Sequence, residues 1–189
     1  MRRSEERIFD EFLAASARAG DRSSFERLAK RWQPKLLGHA YRLTGEAEFA
    51  RDVVQDAWTD IARGLSRLDD AAAFPAWAYR IVSRRAADSI RKKQRERSKM
   101  NAYATEPEKA DGQAAQMEFK ADGGPLGEAM NALPPEQRAA IALFYKEDFS
   151  IAEIAAALSV PAGTVKTRLM HARRKLRAAL EGESENERS

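Results

Sequence analysis

From about Arg97 to Gly124 the chain loses every apolar period, and no fold can ignore that gap. The stretch is polar, carries the turn pairs DG and DGG, and from Asn101 to Glu128 holds six acidic residues against two basic ones. A compact domain rarely leaves so long a segment without structure, so the gap predicts two units and a tether. The expected division is a first unit over 1–97, an acidic linker over 98–124, a second unit over 125–182 and an acidic tail over 183–189.

Both flanks read as helix. Alanine occurs 36 times, whereas Val, Ile and Thr together occur 17 times, a balance that favours helix over strand. The fold class expected is all-α, two small helical domains on a long linker. Phe9, Phe12 and Leu13 share a face of an N-terminal helix. Gly20-Asp21 breaks the pattern, with Ser23 or Ser24 as N-cap. Phe25, Leu28, Trp32, Leu36 and Leu37 follow at helical spacing, and Pro34 is expected to interrupt or bend that helix. Phe49, Val53, Val54, Ala57, Trp58 and Ile61 then define a helix over 46–63, and Asp52, Gln55, Asp56 and Thr59 form a polar stripe beside that apolar one. Residues 64–73 read as a loop, and Phe74-Pro75 opens the next helix.

The second unit is a run of short helices with explicit punctuation. Pro125 and Pro134-Pro135 start two of them. Ser150 with Glu153 makes a capping box for a helix over 151–158, "SVPAG" turns the chain, and Thr164 caps the last helix. Val165, Leu169, Ala172 and Leu176 recur at i, i+4, i+7 and i+11, one narrow stripe that packs inward. Helix, tight turn, helix is the arrangement that lays its second helix in a major groove.

Charge says what such a groove-binding helix would touch. Lys166 to Arg177 holds six basic residues and no acidic one, while Arg80 to Lys99 holds nine basic and two acidic. At about 100° per residue, Lys166, Thr167, Met170 and His171 face away from the apolar stripe. They are the candidates for base edges, with Arg173, Arg174 and Lys175 as phosphate clamps; Arg168, Arg173 and Lys175 lie on the flanks of the stripe. The helix from Phe74 mixes aromatics with cations, which suits single-stranded DNA. Arg80, Arg84 and Arg91 are its phosphate candidates, and Trp77 sides with Ile81 on the apolar face.

Other functions are poorly served. The chain has no Cys and two His, so thiolate and histidine metal sites are not expected, and neither is any cofactor. There is no GxxxxGK loop and no nucleophile motif, so the chain does not read as an enzyme. Its longest uncharged run, Ile154 to Val165, is 12 residues and falls short of the ~20 a bilayer span needs. With the charged start MRRSEER, this predicts a cytoplasmic protein with no membrane insertion.

Three stretches carry a resemblance. LTGEAEFARDVVQDAWTDI (43–61), FPAWAYRIVSRRAADSIRK (74–92) and ALPPEQRAAIALFYKEDFSIAEIAAALSVPAGTVKTRL (132–169) resemble bacterial sigma factors of the extracytoplasmic-function group, in the family's order. The resemblance implies a promoter-specificity subunit of RNA polymerase. Its region 2 would grip the clamp coiled coil of core polymerase through Asp52, Gln55, Asp56 and Thr59. It would open the minus-ten element with Ser66 and Asp69 in the loop before Phe74, together with Arg80, Arg84 and Arg91. Region 4 would read the minus-thirty-five element and pack on the polymerase flap. An anti-sigma factor and a stress or envelope regulon are expected on the same ground. One position departs: Arg84 stands where the family usually has Asn, so a base contact by that Asn does not transfer. Two rivals remain at this level, a sigma-like mimic that only sequesters an anti-sigma factor and a stand-alone helix-turn-helix repressor. The intact basic helix argues against the first, and the first hundred residues against the second.

Overall fold

Aromatic packing organises the first half. The computed structural model describes residues 5–103 and 124–186. Trp32, 2 % exposed, receives Phe74 and Tyr79 edge-on, with ring centroids 5.2 and 5.5 Å away. These rings come from helices α2 (Arg22–Thr44) and α4 (Phe74–Tyr103), which pack with α3 (Ala47–Gly64). Helix α1 (Glu5–Arg18) covers α2, and two short 3-10 turns, Leu65–Arg67 and Ala71–Ala73, join α3 to α4.

Several local expectations need correction. Asp21, not Ser23 or Ser24, caps α2: its carboxylate accepts from the Ser23 backbone N–H at 3.0 Å and from both serine hydroxyls. An ionised acceptor outcompetes a hydroxyl at the positive end of a helix. Helix α2 runs unbroken through Pro34 and ends on Gly45, whose φ of 75° is left-handed and whose N–H bonds Tyr41 O at 2.8 Å. Phe12 is 59 % exposed, because Asp10, Leu13 and Ala14 form the buried side of α1. Helix α4 extends to Tyr103, six residues past the point where its apolar period fades.

The second half holds α5 (Pro125–Asn131), α6 (Pro135–Tyr145), α7 (Ile151–Leu158) and α8 (Ala162–Asn186). Ser150 and Glu153 form the expected capping box, and Ser159 turns the chain in the left-handed region at φ 53°. Helix α8 begins two residues before Thr164, which therefore sits inside the first turn and not at the cap. Val165, Leu169 and Ala172 are buried as their spacing predicts. Among the described residues every element is helical, and one contiguous apolar core runs through both halves. Most of the acidic segment between them lies outside the described residues.

Candidate nucleic-acid and protein interfaces

Three surfaces emerge from this packing. The first is the outer face of α3. Asp52, Gln55, Asp56 and Thr59 are all exposed on it, because Val53, Val54, Ala57 and Ile61 turn the opposite face into the core. The Thr59 hydroxyl bonds Gln55 O one turn back. Beside this stripe opens a groove of about 1070 Å³ between α2 and α3, floored by Phe25, Pro34 and Trp58. Trp58 was expected in the core, but it is half-buried here and meets Phe25 edge-on at 6.1 Å. An aromatic at the edge of a helix face has no sequence mark separating core from groove.

The second surface runs along α4 and the turns before it. Ser66 and Asp69 are exposed in the connecting segment, where the Asp69 backbone carbonyl accepts from Arg18 at 2.8 Å. Arg80, Arg84 and Arg91 are exposed and point off one side of α4; Arg91 is 3.7 Å from Asp88. Trp77 is half-buried against Phe74, as its apolar placement implies. Two other cations on α4 are already spent on α3. Arg85 donates twice to Asp60, 2.6 Å each, and these bonds hold the Asp60 carboxyl below the usual carboxylate range. Lys93 bonds both Glu46 oxygens at 2.6 and 2.7 Å and lies over the Phe49 ring. Sequence gave no sign of these clasps, since each links residues 25 or 47 positions apart.

The third surface is α8. Lys166, Thr167, Met170, Arg174 and Lys175 are exposed, and Met170 at 57 % confirms the outward angle its position predicts. The Thr167 hydroxyl bonds Gly163 O, leaving its oxygen able to accept. His171 is half-buried and its Nδ1 lies 3.2 Å from an Arg174 nitrogen. Arg173 is engaged elsewhere. Its guanidinium lies over Phe144 at 5.0 Å and Tyr145 at 5.5 Å, and Nε donates to the Tyr145 hydroxyl at 3.0 Å. It braces α8 against the end of α6. Among the described residues no helix is long and apolar enough to cross a membrane.

Comparison with known proteins shows what the chain is similar to. The family description "Sigma-70 region 2" matches residues 28–96, and "Sigma-70, region 4" matches 124–176. The ECF RNA polymerase sigma factor SigM of Mycobacterium tuberculosis H37Rv is 35 % identical over 176 residues, covering 90 % of this chain and 84 % of its own. The ECF RNA polymerase sigma-E factor of Escherichia coli K12 is 28 % identical over 187 residues, covering 89 % and 92 %. Among solved structures, the sigma factor RpoE of Bartonella quintana, in complex with the anti-sigma factor NepR, superposes with a TM-score of 0.64 at 25 % identity over 83 % of this chain and 96 % of that one. CnrH, in complex with the cytosolic domain of CnrY, gives 0.62 at 25 % identity over 92 % and 98 %.

Proposed function

Since the chain belongs to the extracytoplasmic-function group of RNA polymerase sigma factors, we propose a division of its promoter-directing work among the three surfaces. The exposed stripe Asp52, Gln55, Asp56 and Thr59 grips core polymerase at the clamp coiled coil. The segment holding Ser66 and Asp69, with Arg80, Arg84 and Arg91, holds the opened minus-ten element. Lys166, Thr167, Met170 and His171 meet base edges of the minus-thirty-five element, with Arg174 and Lys175 on phosphates. The units carrying these roles are 1–97 and 125–182, joined by the acidic stretch 98–124.

The observation that carries this division is the separation of charge. The α3 face is acidic and polar, and the α4 and α8 faces are basic. A polyanion is drawn to the last two and repelled by the first. Both solved relatives above are held by partners, NepR an anti-sigma factor and CnrY through its cytosolic domain, which supports a partner of that class for this chain too, in the cytoplasm where polymerase works.

Promoter-specific transcription with purified core enzyme tests the division. Lys166→Ala and His171→Ala should each weaken minus-thirty-five recognition by roughly 1–3 kcal/mol with core affinity unchanged. Asp52→Ala and Gln55→Ala should weaken core binding and leave minus-thirty-five selectivity intact. A common defect from both sets would overturn the division.

A further inference from the structure

An arginine stays charged in any protein environment, so one drawn out of water needs an anion. Helix α6 packs on α2, and the seam between them holds two arginines. Arg42 comes from the last turn of α2 and Arg138 from the first turn of α6, and both are half-buried. Burial pushes each guanidinium below its ordinary range, and at Arg42 the charge of Arg138 adds to the effect. Among the described residues neither takes part in an ion pair, and Arg138 Nε is buried without a hydrogen-bond partner. The carboxylate that acts on Arg42 is Glu147, and it is already divided: it bonds the Tyr79 side chain and stands 3.5 Å from Lys35 Nζ. The remaining groups that act on the pair, Tyr41 and Tyr79, are neutral phenols. Lys35, Arg42 and Arg138 thus bring three positive charges against the one negative charge of Glu147, which leaves two uncompensated.

We propose that Arg42 and Arg138 form a binding site for a small phosphate-bearing molecule, held between α2 and α6. Charge selects the class. Inorganic phosphate or a phosphate monoester carries about −1.5 to −2 near pH 7, which matches the surplus, whereas chloride or a phosphodiester carries a single charge. Shape selects it too. A guanidinium is a planar fork of N–H donors, and two forks on one tetrahedral group offer paired hydrogen bonds that an ammonium cannot. The phosphate oxygens supply the acceptor that Arg138 Nε lacks. Neither arginine belongs to the three surfaces described above, and the assignment does not depend on the promoter reading.

Isothermal calorimetry on the full-length chain, at constant ionic strength, should show one saturable site for inorganic phosphate. Dimethyl phosphate, a diester like the backbone of DNA, should bind roughly tenfold more weakly or worse. Equal or tighter binding of the diester overturns the assignment, because it makes the pair a contact for nucleic-acid backbone. Arg42→Gln and Arg138→Gln should each weaken phosphate binding by roughly tenfold or more, and Arg42→Lys, which keeps the charge and loses the fork, by less. Arg138→Glu sets a carboxylate against Arg42 in place of the ligand. That variant should ignore phosphate, and in phosphate-free buffer its urea midpoint should be no lower than the wild type's. An arginine with a purely structural role gives the opposite, a variant less stable at every phosphate concentration. Phosphate also stabilises proteins by exclusion from their surfaces, but all the chains share that effect, so the site is read as the wild type's excess midpoint shift over Arg138→Glu. No saturable phosphate binding by the wild type, or binding unchanged in both Gln variants, overturns the proposal.

Discussion

Arg173 carries a charge on the helix offered to DNA, yet its guanidinium is stacked on Phe144 and Tyr145. A phosphate clamp needs only a point charge, which lysine supplies; a planar stack with a directed Nε bond needs arginine. Arg173→Lys should therefore lower minus-thirty-five affinity by about 1 kcal/mol, and Tyr145→Phe should reproduce part of the loss. The same affinity titrations at several salt concentrations check the assignment, since loss of a phosphate contact lowers the salt slope by about 0.9. Sequence geometry placed Arg173 on the flank of α8 correctly. It could not show that the ring pair ending α6 would lie under it, because 28 residues separate Arg173 from Tyr145. Lys166, Thr167 and Met170 were legible for the opposite reason: their direction follows from the stripe on their own helix.

His39 is the other residue whose surroundings decide its behaviour. It is fully buried, and burial, reinforced by the nearby Arg42 charge, pushes its pKa down to about 3. The Ser83 hydroxyl donates to Tyr79 O, so it accepts from His39 Nε2, 2.9 Å away. Nδ1 is left buried with no partner, and protonating it would strand a charge beside Tyr79. The unfolded chain binds that proton near pH 6.5 and the folded chain does not. Stability from His39 is therefore complete above pH 6.5 and falls as the pH drops towards 3, by at most about 1.4 kcal/mol per unit. Urea unfolding between pH 7 and pH 4 should show this slope, and His39→Gln, which keeps a donor for Ser83, should flatten it.

At the scale of the element, α7 is the most dependent on its ends. Eight residues cannot hold a helix by propensity alone, so its cap and its packing must. Ser150→Ala removes the hydroxyl of the capping box and should cost about 1 kcal/mol of stability, read as a lower urea midpoint with unchanged steepness. That box was legible because both partners lie three residues apart. The cap of α2 was not, since "DRSS" offers three capping side chains and only backbone direction selects Asp21. The far end of α4 was missed for a different reason. Past Ile90 it leaves the core, so no apolar period marks it, and high-propensity Arg, Lys, Gln and Glu with the Lys93–Glu46 clasp carry the helix on.

Across the whole molecule, the helical class and the two-unit order followed from local patterns, and the contact between the units did not. Nothing in the sequence around Tyr79 or Phe149 marks the two rings as a pair across the halves. A buried ring gives no sign of which half buries it. The clasps between α3 and α4 have a consequence at this scale. Asp60–Arg85 and Glu46–Lys93 tie the two helices together near both ends of α3, on top of their packed core, and so oppose a swivel. The α3 face proposed for polymerase and the α4 face proposed for DNA then keep one angle. On that proposal, a chain seated on the enzyme presents the duplex in a single orientation, which decides which strand is copied and which way the polymerase leaves.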